Sequence, residues 1–214
     1  MKITKYSHSC LLVEMPDPVN RTTLFDPGMM SEALLDISKL DYLDDIIITH
    51  KHGDHFSLKL IKQLVEKFPN VAITAPAEIV AELAKEGITA SDQASDGIVL
   101  FDAPHEPVTP LFETPQEIGV HYLDTLTHPG DSHSFSETKA VLALPVTAPW
   151  GSAVQAVRLA LELKPTYVLP IHDWHWSEEA RAQMYGGIEQ ALNVEGIKFI
   201  KLENGVPVVL DVAA

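Results

Sequence analysis

The chain is poor in sulfur, in cations and in long apolar runs. Cys10 is the only cysteine in 214 residues, so no internal disulfide framework can form. Lys and Arg total 15 against 30 Asp and Glu, a formal net charge of −15. Such a surface repels a phosphate backbone, which is gripped through clustered Lys and Arg, so no nucleic-acid partner is expected. Arg21, Arg158 and Arg181 are the only arginines. No apolar run approaches the roughly 20 residues that cross a bilayer, so no membrane partner is expected. The opening MKITKYSHSCLLVEM alternates like a strand and lacks signal-peptide organisation, which points to a cytoplasmic protein. Repeats, low-complexity tracts and long linkers are missing too, and a single domain over 1–214 is expected.

What is present is a regular succession of short elements. Apolar alternation predicts strands at 2–7, 10–14, 22–25, 45–49, 71–74 and 97–102. Further strands are expected within 119–127 (one or two) and at 140–144, 167–170, 197–201 and 207–211. Apolar residues at helical spacing predict helices over 31–40, 58–67, 77–85, 152–163 and 177–192. Hairpin-like and helix-separated strands occur in both halves. That mixture favours two mixed sheets with helices outside over one parallel sheet.

The chemistry concentrates in IIITHKHGDHF, residues 46–56. Alternate side chains of an extended segment face the same way, so His50 and His52 point together while Lys51 points elsewhere. Gly53 is expected to turn the chain through positive φ and to aim Asp54 and His55 at a second nearby point. Histidine nitrogen and aspartate oxygen are ligands of zinc and similar divalent ions. One loop fills only part of two coordination shells. His105 (in FDAPHEP), Asp131 (in LTHPGDSHS) and His172 (in TYVLPIHDW) each follow a predicted strand and are candidates for the remainder.

The H-x-H-x-D-H loop, a later lone His, a G-D after a strand and a final His after a Pro-containing strand resemble the metallo-β-lactamase superfamily. YSHSCLLVE, TTLFDPG and TAPWGSAVQAVRLALELKPTYVLPIH are similar to the branch that includes the ascorbate-6-phosphate lactonase and many small metal-dependent hydrolases. The resemblance implies an α/β (α+β) fold, a four-layer αββα sandwich of two mixed sheets flanked by helices, with a dinuclear site. It implies that His50, His52 and His105 hold one ion, that Asp54, His55 and His172 hold the other, and that Asp131 bridges them. Asp26, in LFDPG, would orient a ligand from behind. Two divalent ions are expected, Zn first, with Mn or Fe as alternatives. Asp54 is the expected catalytic residue.

The implied reaction is metal-dependent hydrolysis of a small ester, lactone or phosphodiester. His52 stands where the superfamily's flavin-coupled diiron reductases typically carry Glu, which favours hydrolysis over redox chemistry. Two other functions fit the same loop: mononuclear iron-dependent sulfur oxidation, and a non-catalytic metal-binding module. His128, His133 and His175, close in sequence to ligands, are candidates for contact with a small-molecule substrate. His8 is expected at the site edge, His121 in a structural role, and Trp174 and Trp176 in the core. Cys10 reads as a small buried hydrophobe. A homo-oligomer remains open.

Overall fold

A computed structural model describes residues 1–111 and 113–212. They form two compact units, one of residues 1–94, 115–117 and 202–212, the other of residues 95–111, 113–114 and 118–201.

The first unit holds a six-stranded sheet in the order β12-β1-β2-β3-β4-β5. Strands β1 (Lys2–Lys5), β2 (Leu11–Met15) and β3 (Arg21–Phe25) form an antiparallel meander. Strands β4 (Asp45–Ile47) and β5 (Ala72–Thr74) continue it in parallel, and β12 (Val208–Val209) closes the far edge against β1. A parallel connection needs a crossover, supplied by α1 (Leu58–Lys67); α2 (Ala77–Lys85) follows β5. Helix α1 starts where Ser57 accepts the Leu60 amide. Its Leu60, Ile61 and Leu64 pack with Ile79 and Leu83 of α2 over Leu12, Leu24 and Ile46. Each fully buried Leu or Ile contributes roughly 1.5–3 kcal/mol. Ile46 and Ile47 are both fully buried although they point to opposite faces, which explains the unbroken Ile run before the histidines.

The second unit holds another six-stranded sheet, ordered β11-β10-β9-β8-β7-β6. Strands β8 (Leu126–His128), β9 (Val141–Pro145), β10 (Tyr167–Ile171) and β11 (Lys198–Phe199) run parallel. Strands β6 (Ile98–Phe101) and β7 (Gly119–Tyr122) add antiparallel pairs. Helices α3 (Ala153–Leu163) and α4 (Glu178–Asn193) make the crossovers. A Ser152–Gln155 capping box opens α3. Ala156 and Ala160 of α3 and Ile188 and Leu192 of α4 form a core with Leu142, Leu144 and Val168.

Two mixed sheets with four α-helices match the expected fold class, and two details differ. The helix expected over 31–40 is only a pair of 3-10 turns, Met29–Ser31 and Ile37–Lys39. Asp36 accepts bonds from the amide and hydroxyl of Ser38, a local alternative that competes with helix propagation. The first strand stops at Lys5, because Ser7 and His8 take φ of 77° and 49° in a tight reversal. Within 119–127 the chain forms two strands, β7 and β8, joined by the three residues 123–125, where Leu123 and Asp124 take positive φ and the Thr125 amide bonds to the Tyr122 carbonyl.

Candidate metal centre

In the first unit, β4 delivers Thr49 and His50 to the end of the sheet. The chain then makes a helical turn in which the amides of His55 and Phe56 both bond to the His52 carbonyl. Gly53 is not among the glycines with positive φ, so the turn does not use the conformation expected of it. Its tight reversal comes from those two bonds instead. The rings of His50 and His52 lie 4.8 Å apart and those of His50 and His55 4.0 Å apart. Lys51 points outward to Glu78 at 2.6 Å, as strand alternation predicts.

The loop rests on the DPG turn after β3. The Met29 amide bonds to the Gly53 carbonyl at 2.7 Å and the Ser57 amide to the Pro27 carbonyl at 3.0 Å. Asp26 is fully buried with φ of 44°, a strained conformation for a residue with a Cβ. Its carboxylate accepts the Thr49 amide at 2.8 Å, the Thr49 hydroxyl at 2.9 Å and His55 Nδ1 at 2.7 Å. His8 Nε2 lies 3.0 Å from Asp54 Oδ2. The donor atoms of His8, Asp54 and His55 fall within 4.8 Å of one another, as do those of His50 and His52.

In the second unit, His105 follows β6, Asp131 follows β8 through Gly130 at φ 64°, and His172 follows β10 with φ 60°. Asp131 stands between two imidazoles: its Oδ2 is 3.6 Å from His105 Nε2 and 3.0 Å from His172 Nε2. The Asp131 carbonyl also accepts the Glu106 amide, tying the two loops together.

Four of these histidines share one arrangement. Nδ1 of His55 meets Asp26, Nδ1 of His50 lies 3.0 Å from Glu117 Oε2, and Nδ1 of His105 and His172 meet the carbonyls of Glu106 and Thr147. An oxygen acceptor at Nδ1 puts the ring proton there and leaves the lone pair on Nε2. Metal-binding histidines are held in this way from behind, which fixes the tautomer and the ring plane. The residues therefore fit a divalent ion, and a set of imidazole and carboxylate donors accommodates Zn, Mn or Fe alike.

The remaining histidines are placed variously. His133 donates its Nε2–H to the Pro145 carbonyl at 2.8 Å, and its ring stands 5.1 Å from that of Trp150. Burial holds its pKa below the usual histidine range. His175 is exposed, 3.1 Å from the Thr147 hydroxyl, and partial burial lowers its pKa too. His128 is buried and takes the Gly130 amide at Nδ1; His121 pairs with the Thr127 hydroxyl across β7 and β8. Trp174 is 49% exposed, against the expected core role, because its loop turns it outward after His172.

Glu117 carries a role that the sequence pattern does not announce: it lies far along the chain from His50 and belongs to no motif.

Two mixed sheets whose strand ends present imidazole and carboxylate donors define a metal-site α+β fold. The family described as "Beta-lactamase superfamily domain" matches residues 2–172, and the chain belongs to the metallo-β-lactamase superfamily. Protein Rv0786c of Mycobacterium tuberculosis is 30% identical over 201 residues, covering 89% of this chain and 92% of that protein. A UPF0173 metal-dependent hydrolase of a Geobacillus species is 27% identical, covering 80% of this chain and 85% of its own. The solved structure of Igni18, a metallo hydrolase from Ignicoccus hospitalis, superposes with a TM-score of 0.70 at 19% identity, covering 98% of this chain and 99% of that one. Among the described residues, no helix is long and apolar enough to cross a membrane.

Proposed function

We propose that the protein is a metal-dependent hydrolase of a small ester, lactone or phosphodiester. In this reading His50, His52 and His105 would hold one ion, Asp54, His55 and His172 would hold a second, and Asp131 would serve both. The observation that carries it is the set of four histidines fixed at Nδ1 by oxygen, with Nε2 as the donor. Superfamily membership and the order of the donors along the chain support it.

A bound pair of divalent ions would acidify a water near neutral pH and supply fixed positive charge for the transition state. The protein's own groups do the rest. Asp54, whose side chain is one-quarter exposed, orients the attacking water and passes a proton to the leaving group. His8, 3.0 Å from Asp54 Oδ2, holds that carboxylate in place. Asp26 and Glu117 keep His55 and His50 in the donor tautomer. The acidic surface disfavours nucleic acid as substrate and leaves a small molecule.

Elemental analysis of protein purified without chelator, followed by assays on lactone panels and bis-4-nitrophenyl phosphate, tests the reading. Two zinc or manganese ions per chain with turnover of one of these classes are expected. A single iron with oxygen uptake on a sulfur substrate would overturn it.

A further inference from the structure

Beside the second unit's donors lies a cavity of about 400 Å³ that the reading above does not use. One wall is the outward stripe of α3, formed by Gln155, Arg158, Leu159 and Glu162, which recur at helical spacing. The other wall is Glu106, His133 and Ser134, each within three residues of His105 or Asp131. Trp150 joins the cavity to the donors, its ring 5.6 Å from that of His172 and 6.5 Å from that of His105.

The charges on these walls are not equivalent. Arg21 and Arg181 are both committed, to Asp45 at 2.7 Å and to Asp173 at 3.2 Å. Arg158 is in no ion pair among the described residues, although the chain carries 30 acidic groups. Glu106 already accepts the Ser134 hydroxyl at 2.7 Å and the His133 amide at 3.2 Å. Glu162, one turn beyond Arg158, is exposed to water. The cavity therefore offers a flat aromatic wall near the donors and, further out, one guanidinium with its fork available. A guanidinium binds a carboxylate or phosphate through paired charge-assisted hydrogen bonds.

We propose that the Trp150–Arg158 cavity is the substrate's acyl-side subsite and takes a short chain ending in an anionic group, which Arg158 binds while Trp150 covers the stem. This rests on the hydrolase reading and adds the substrate class to it. The cavity has the size usual for a small-molecule pocket. Carboxylate and phosphate share the chemistry that Arg158 recognises.

The test compares mono-4-nitrophenyl glutarate with 4-nitrophenyl valerate, which have the same leaving group and differ in the terminal charge. The metal-loaded protein is expected to show a KM about tenfold lower for the anionic ester, the scale of one charge-assisted pair. Arg158→Gln should raise KM for the anionic ester about tenfold and so erase that preference, and Arg158→Lys should restore part of it. No preference in the unmodified protein, or a preference that survives in Arg158→Gln, overturns the proposal. If neither ester is hydrolysed, ester hydrolysis itself fails, and tryptophan fluorescence titrated with glutarate and with inorganic phosphate decides the subsite separately. Binding lost in Arg158→Gln supports it, and the ligand that binds identifies carboxylate or phosphate. No binding of either sinks it.

Discussion

Gly28 and Asp54 meet backbone to backbone: a Cβ at position 28 would lie 1.9 Å from the Asp54 carbonyl oxygen and 2.1 Å from its carbon. No rotamer relieves that clash, so Gly28→Ala must push the donor loop off the turn beneath it. A loss of at least ~1–3 kcal/mol is expected from such overpacking. Melting temperature and metal stoichiometry should fall together. Gly53→Ala is the control, since its Cβ would meet only Met29 Cε, the end of an exposed flexible side chain. It should change both far less.

Asp26 serves three donors at once, so Asp26→Ala leaves the Thr49 amide and His55 Nδ1 without their acceptor. Loss of such an orienting carboxylate typically weakens metal affinity about 10–100-fold. Competition against a chromophoric chelator measures this directly. Unchanged affinity would show that His55 keeps its tautomer without Asp26.

Asp131→Ala should cut turnover by at least the ~100-fold seen for loss of outer groups, since Asp131 sits between His105 and His172 themselves. The metal-free protein should keep its far-UV circular dichroism and melting temperature, because no core side chain is removed. Turnover close to that of the unmodified protein would remove Asp131 from the site.

Burial pushes the Cys10 thiol up to about 12 from 9.0, with nearby Asp26 also raising it against a Ser31 hydrogen bond that lowers it. The thiolate is the reactive form, so native protein should resist iodoacetamide at pH 8 and react only once unfolded. The folded pKa is raised, so the unfolded chain loses this proton first. The stability contribution is therefore complete below pH 9.0 and declines as pH rises toward about 12. Cys10→Ser should flatten that alkaline decline in a denaturant series.

The candidate donor loop stands out in the sequence because an Ile-rich strand ending in H-x-H-x-D-H has few other uses. All four α-helices were legible too, as apolar spacing and the Ser57, Ser152 and Ser177 caps mark them locally. The segment 31–40 misled because Asp36 and Ser38 compete with the helix through side-chain bonds that periodicity ignores. Glu117 was obscure for another reason. Nothing in PQEIG shows that this group lies beside His50.

By itself the sequence determined the identity and order of the candidate donors, the short apolar runs that become strands of two mixed sheets, and the net acidity. These are properties of neighbouring residues and of composition, so they can be read along a line. Only the tertiary structure decided which nitrogen of His50, His55, His105 and His172 faces an oxygen, why position 28 has no side chain, and that Arg158 shares a cavity with Trp150. Each of those depends on an oxygen, a carbonyl or a ring brought close by strand pairing and helix packing, and distance along the chain carries no record of such proximity.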